Sequence, residues 1–596
     1  MPGSSPPEIS RNGWRTRPPD AGPRQGTAGE YAVRCRNAYN QPVVHTSLSF
    51  RLRRVGQVAA GAGLGLAVAI TTIANASGQT PSDSAAAASA AGHGRILLVL
   101  PFDNQSGQPS LEWIREAAPQ ILSSRFASAG FAPMSRQDRM YALDHLGLPQ
   151  GFHPSRASSL KLAETLDADS IVVGSFITDG TAIVAQAEIV DVPHLRMSEA
   201  VSARGEMRDL LAVFDTLAWK LTRQLDPGFS VAQETFVAAS AGIRVNAFEQ
   251  YIRGITEPDQ QERLSHLKRA VELSPDFGPA WMGLGREDYN GQQYEQAAAA
   301  FAKVGRSDPD ALEAGFYRGL SLVFFGSYAK AEEAFAGVAK ILPLAEVLNN
   351  VGVAVSRQGH DGVAYFRQAV AADPNAADYH FNLAVSLQRQ KKTPEALTEL
   401  ATCLRLRPND TEAQALEASW KAPATAPAAR AEGETFPKAD PLERISRNFD
   451  AVAFRQAAIM LDQMDATRLA ALTPSERARK LAVQAKDYLD RGLLLEAERL
   501  YQSAVAADDK TAEAHAGLAA LRERTGDPDA ARKEATVSLK LAPSADAYLV
   551  LGRLDLGGGN LDQADKDTDE ALKLAPADKA AEELHKQIAA KRDQKK

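Results

Sequence analysis

The sequence predicts an α/β domain at the amino end followed by an all-α superhelix of stacked helix pairs, an α-α solenoid in two arrays. Three observations lead there. Prolines 275, 309, 343, 374 and 408 recur with gaps of 34, 34, 31 and 34 residues, and a fixed period in this range marks a repeat architecture. Apolar and small residues return at the same offsets within each period. Ahead of the repeats, over 94–228, short apolar runs alternate with helical stripes, as in a sheet covered by helices.

Within a unit, Trp281, Leu284, Gly285, Ala297, Phe301 and Pro309 correspond to His380, Leu383, Ala384, Ala396, Leu400 and Pro408. The pattern resumes with Leu481, Ala485, Ala497, Tyr501 and Ala504, and ends with Leu551, Gly552, Ala564, Ala571 and Pro576. Two apolar stripes at helical spacing, broken by a polar turn such as "RQKKTPE", make each unit a helix pair. Gly285, Gly319, Gly352, Ala384 and Gly552 let the first helix come close to its partner, an aromatic or leucine on the second helix fills the space between units, and proline stops the second helix because it lacks the N–H a helix needs. These positions resemble the W-x2-L-G, A-x3-F and P positions of the tetratricopeptide repeat. The count is about five repeats in 247–418 and about three in 478–593, the latter closed by a polar capping helix that ends in "KRDQKK".

In the amino-terminal domain, "RILLVLPF" is an unbroken apolar run suited to a strand buried on both faces. Leu111, Ile114, Ala118, Ile121, Leu122 and Phe126 form a helical stripe ended by Gly130. "SLKLAETLDA" leads as a second helix into the strand "DSIVVGSF", and "TDGT" supplies the Asp-Gly of a tight hairpin. Met207, Leu210, Leu211, Phe214, Leu217, Leu221 and Leu225 mark a closing helix. "VLPFDNQSG", "LAETLDADSIVVGSF" and "AQAEIVD" together resemble the TolB amino-terminal and CsgG-like α/β domains, over 94–228. That resemblance implies a module that contacts envelope proteins or acts as a sensor beside repeats, without catalysis. "DVPHLR" departs from it where a glycine turn is usual, leaving the second hairpin open.

Residues 1–50 are rich in Pro, Gly and Arg with no apolar period, and read as unstructured. Residues 51–76 carry three arginines, an uncharged Ala/Gly/Val/Leu stretch and Ala74-Asn75-Ala76, which reads as a secretory signal cut after Ala76 or as a single membrane anchor. A translation start at Val43, Val44 or Leu48 would give a signal of ordinary length. The expected location is therefore periplasmic or otherwise exported, with anchoring in the inner membrane as the alternative. Residues 77–93 read as a linker, as do 419–441, rich in Ala and Pro. Ile445, Phe449, Val452 and Ala457 predict a helix within 442–475 that opens the second array.

The formal net charge is −7, and residues 1–54, with nine Arg against three acidic residues, are the basic part, so the remainder carries −13 and offers no footprint for nucleic acid. With only Cys35 and Cys403 an intrachain disulfide is not expected, and Cys403 sits in a small-residue core slot. Ten scattered histidines without zinc spacing predict no metal site. No nucleophile or phosphate-loop motif is present, Asp103 and Asn104 read as a turn, and neither catalysis nor a cofactor is expected. What remains is surface. Asn350 and Asn382 share one offset, two before the small residue, where an amide can both give and accept a hydrogen bond with an extended peptide. Arg286, Gln388 and Arg389 lie nearby and could engage acidic groups. The expected partners are proteins or peptide segments, not nucleic acid, with a membrane touched only through an uncleaved amino end. The reading is an envelope scaffold, or alternatively a sensor of a small ligand or envelope signal with the repeats as output.

Overall fold

Alternation in "ILLV" sends Leu97 and Val99 to one face of a central strand and Leu98 and Leu100 to the other, and both faces are covered. The computed structural model describes residues 96–149, 151, 155–306, 308–422, 441–449 and 464–594. The predicted leader at 51–76, the stretch 1–50 and most of both linkers lie outside these residues. Among those described, no helix is long and apolar enough to cross a membrane.

The amino-terminal region holds a mixed seven-stranded sheet in the order β3-β1-β4-β5-β6, with β2 on β4 and β7 on β5. Its strands are β1 (Ile96–Val99), β2 (Asp103–Asn104), β3 (Ala132–Pro133), β4 (Ser170–Thr178), β5 (Ala182–Asp191), β6 (Arg196–Met197) and β7 (Val201–Glu206). β1 runs parallel to β3 and β4, while β4 and β5 form the hairpin at Asp179-Gly180. There the Asp179 carboxylate accepts the N–H groups of Thr181 and Ala182, bonds that hold its pKa down at about 2. β5 also pairs with β6 through Val190–Met197, so "DVPHLR" does turn the chain back. Helices α1 (Trp113–Ser128) and α4 (Leu210–Leu225) cover one face through Ile114, Phe126, Phe214 and Leu217, and α2 (Arg136–His145) and α3 (Arg156–Thr165) cover the other through Ala142, Leu143, Leu162 and Ala163. After α5 (Gln233–Ala238) every described regular element is a helix.

Five helix pairs follow: α6 (Val245–Thr256) with α7 (Gln260–Leu273), α8 (Gly278–Asn290) with α9 (Tyr294–Phe301), α10 (Ala311–Phe325) with α11 (Tyr328–Ala339), α12 (Ala345–Arg357) with α13 (Val363–Ala372), and α14 (Ala377–Arg389) with α15 (Thr393–Leu406), then α16 (Thr411–Lys421). Later come α17 (Pro474–Asp490) with α18 (Leu494–Ala507), α19 (Ala512–Arg524) with α20 (Pro528–Leu541), α21 (Ala545–Gly557) with α22 (Leu561–Leu574), and α23 (Lys579–Gln594). The described chain is thus mostly helical, a superhelix of stacked pairs behind a mixed sheet. One core runs from the sheet into the first pairs through Phe248, Ile252, Leu267 and Phe277, and Leu495 of α18 enters the same core.

Close approach within a pair follows from residue size. Leu284, Gly285, Ala297, Phe301, Leu383, Ala384, Ala396, Leu400, Gly552 and Ala564 are buried, Trp281 and Leu551 partly so, while Pro309, Pro408 and Pro576 are exposed at the turns. A Cβ added at Gly285, Gly319 or Gly352 would lie 2.6–2.7 Å from the ring of Phe301, Phe335 or Phe366, so each ring lies over the glycine of its own pair. Phe301 also stacks on Tyr317 of the next pair, with centroids 5.9 Å apart. Where the slot holds Ala384, the facing residue is the smaller Leu400. Gly319→Ala is accordingly expected to lower stability by about 1–3 kcal/mol, because the buried Phe335 ring cannot retreat. Adding Phe335→Leu, which reproduces the Ala384–Leu400 arrangement, should recover part of that in a denaturant titration; a double variant weaker than either single one would refute the pairing.

Residues 441–449, predicted as helix from Ile445 and Phe449, contain no helix or strand; 450–463 lie outside the described residues, and 464–470 are helical. The reason is tertiary: 441–449 lie along the first helices of the preceding pairs, whose side chains take its backbone hydrogen bonds.

Candidate peptide-binding groove

The groove is lined by α10, α12 and α14, the first helices of three successive pairs, and by the amino end of α16. Its floor is made of amides. Asn382 Nδ2 donates to the Arg444 carbonyl at 2.7 Å and the Arg444 N–H donates back to Asn382 Oδ1 at 2.6 Å. One pair earlier, Asn350 Nδ2 donates to the Ser446 carbonyl and the Ser446 N–H to Asn350 Oδ1, both at 2.8 Å. Each asparagine thus treats one residue of the segment as a neighbouring strand would. Asn349 joins the two rungs, donating to the Arg444 carbonyl at 3.1 Å and accepting from Asn382 Nδ2 at 2.7 Å. All three amides are fully buried, so their polar atoms depend on these partners.

Side chains of the segment enter three differing surroundings. Glu443, itself buried, is held by Arg357 Nε at 3.0 Å, by Arg389 and by Ser356 Oγ. Arg357 and Arg389 also donate to the carbonyls of Glu443 and Pro441, at 3.0 and 2.9 Å. The Arg444 guanidinium carbon lies over the Phe381 ring, 3.6 Å from its centroid, and the side chain reaches Asp378 at 3.0 Å, Asp410 at 2.9 Å and Glu412 at 2.9 Å. Burial pushes Asp410 up, but hydrogen bonds from Arg444 and the Ala413 N–H, with the charge of Arg444, outweigh it and hold its pKa below the ordinary value. Ile445 packs with Val353, Phe366 and Leu383, and Phe449 sits 5.7 Å from Phe316 and 6.4 Å from Tyr317, centroid to centroid. Arg447 lies over Phe324. Burial lifts the Tyr379 hydroxyl, 3.5 Å from Ser446 Oγ, to a pKa of about 12.

Of the residues singled out in the sequence, Asn350, Asn382 and Arg389 touch this segment. Arg286 does not: it pairs with Glu313 of α10 at 2.5 Å. Nor does Gln388, whose buried Oε1 has no hydrogen-bond partner among the described residues. Arg357 was legible, since it stands five residues beyond Gly352 as Arg389 stands five beyond Ala384. Asn349 was not, because Phe381 takes the equivalent place.

Several other polar groups singled out in the sequence have structural partners. His380 and His515 each face a carbonyl six residues back (Pro374, Asp509) at 3.0 Å through Nε2, and a glutamate (Glu399, Glu534) through Nδ1. Trp281 Nε1 donates to Pro275 in the same way at 2.7 Å. The Glu534 hydrogen bond raises the His515 pKa. Asn104 Oδ1 accepts the Ser106 N–H at 3.0 Å, an Asx turn. Cys403 is buried beside Phe381 and Leu400, and burial pushes its thiol up to about 11, away from reactivity.

Sequence models of the tetratricopeptide repeat match residues 282–346, 357–419 and 483–546, so the chain contains such repeats. Comparison with curated proteins gave no match. Among solved structures, YrrB, described as a TPR protein with an unusual peptide-binding site, is 16% identical, with 34% of this chain and 99% of that one covered at a TM-score of 0.26. MamA from Desulfovibrio magneticus RS-1, from residue 41 to its end, is 21% identical over 28% of this chain and 99% of its own, with a TM-score of 0.26. The first TPR of Spaghetti (RPAP3), bound to an HSP90 peptide, is 22% identical over 20% of this chain and 95% of its own, with a TM-score of 0.19.

Proposed function

We propose that the protein is an exported scaffold of a bacterial cell envelope that binds extended segments of partner proteins along the first helices of its repeats, without catalysis of its own. Tetratricopeptide-repeat proteins mediate protein–protein interaction and peptide binding. The observation that carries the reading here is the two rungs of amide bonds from Asn382 and Asn350 to the backbone of 444 and 446. Bonds to backbone fix an extended chain whatever its side chains, which suits a preformed surface that orders its ligand at little cost to itself. In this reading the repeats of 247–418 and 478–593 form two arrays, the sheet domain is a TolB-like module, and the stretch ending at Ala76 directs export.

Crosslinking in intact cells, with E443K/R444E, in which residues 441–449 no longer compete for the amides, and with the same chain carrying Asn350→Ala/Asn382→Ala, tests the groove. Loss of four hydrogen bonds at about 0.5–1.5 kcal/mol each is expected to weaken partner capture at least ten-fold; undiminished capture would count against the groove, and recovery of the protein from the cytosolic fraction would count against export. A second reading, in which the sheet domain senses a small ligand, is favoured by a cleft of about 550 Å³ where that domain meets the later helix pairs, lined by Leu211, Gln233, Val237, Arg524 and Gly526. A compound that raises the melting temperature through this cleft would select it.

A further inference from the structure

We propose that residues 441–449 are the groove's own displaceable ligand, and that the partner segments it takes are extended chains with the same order of side chains: a carboxylate, an arginine, an aliphatic residue, a small residue, then a basic and an aromatic residue. This rests on the groove reading above and adds both a recognition pattern and a regulatory step to it.

The segment is held as a ligand is held. It forms no helix or strand, and of its nine residues only Glu443 is fully buried; Leu442, Arg447 and Asn448 are exposed and the rest are half-buried. An integral piece of the core would bury more. Its affinity comes from the amide rungs, which any extended chain could use. Its selectivity comes from a cationic end at Arg357 and Arg389, an anionic end at Asp378, Asp410 and Glu412, and an aromatic end at Phe316, Tyr317 and Phe324. A chain with the charges reversed would set like against like at both charged ends. Because it is part of the same chain, the resident segment competes at an effective concentration on the order of millimolar. A partner therefore enters only when it matches all three ends, and weak or partial matches are kept out.

The test uses a fluorescent peptide of sequence PLERISRNF and the full chain, read by anisotropy. In the wild type the peptide should bind weakly. In the E443K/R444E variant, whose own segment can no longer dock, it should bind roughly 100-fold more tightly, the ratio expected for a ten-micromolar ligand against a millimolar tether. Equal affinity for both chains, or no binding to the folded variant, overturns the proposal. If the peptide still binds the variant after Asn350→Ala and Asn382→Ala are added, the groove reading itself fails instead. A wild-type dimer in light scattering that the variant lacks would make the occupant a second copy, which also overturns it. Should the variant not fold, hydrogen exchange of 441–449 in the wild type decides: excess peptide should deprotect it, and unchanged protection refutes displacement.

Discussion

Glu498→Ala is expected to lower the stability of the chain by about 3–5 kcal/mol and to loosen the later helix pairs from the sheet domain. The Glu498 carboxylate is fully buried. It accepts the Ala232 N–H at 3.0 Å, the Thr235 hydroxyl, Gln502 Nε2 at 2.8 Å and both terminal nitrogens of Arg522, at 3.2 and 2.5 Å. Alanine leaves the largely buried Arg522 guanidinium and the half-buried Ala232 N–H without this partner, and a charge so placed costs more than the ion pair contributed. Around it, Arg499 donates to the Ser128 carbonyl at 3.0 Å and Gln502 to the Ser230 carbonyl at 3.1 Å, bonds that hold only while α18 stays seated. Hydrogen exchange should rise in α5 and α18 together, and Glu498→Ala with Arg522→Leu should be less damaged than Glu498→Ala alone. A loss below about 1 kcal/mol with unchanged exchange would show that this joint carries no weight.

Arg444→Ala is expected to release residues 441–449 from the groove, at a cost of about 2–4 kcal/mol of docking free energy. The substitution uncovers Phe381 and leaves Asp378, Asp410 and Glu412 with only Arg407, which pairs with Asp378 at 2.7 Å and lies 3.7 Å from Asp410, to offset their charge. Proteolysis after residue 441, or exchange of the Ser446 amide, reports release directly. The pH dependence has a definite sign. The folded pKa of Asp410 lies below its ordinary value near 3.8, so its contribution is complete above that value and is lost as pH falls through the lowered one. Docking should therefore hold at neutral pH and fail in strong acid, and the variant should lack this acid-dependent step. Protection of Ser446 that survives in Arg444→Ala would assign the docking to the amide rungs alone.

The helix pairs were legible because their period is carried by sizes: a glycine under a phenylalanine, or an alanine under a leucine, leaves a mark at fixed offsets. Asn350 and Asn382 were legible for the same reason, as equivalent positions on successive first helices. Arg286 stands one residue beyond Gly285, as the buried Val353 and Val385 stand beyond Gly352 and Ala384, and from there it pairs with Glu313 and not with residues 441–449. The resident segment was misread for a deeper cause. Ile445 and Phe449 are four apart, a spacing that puts two side chains on one face of a helix and equally on one face of an extended chain. Local sequence cannot separate the two; what decides is the row of amides from distant residues, and no period within 441–449 encodes them.

The spacing of the amide rungs sets a unit of measure. Asn382 and Asn350 are one helix pair apart, yet they grip residues 444 and 446, so this step from one pair to the next spans two residues of the segment. A guest carrying one extra residue between the rungs would turn every following side chain to the wrong side. A single-residue insertion between Arg444 and Ser446 is accordingly expected to undo docking, because the two amides together measure out one dipeptide.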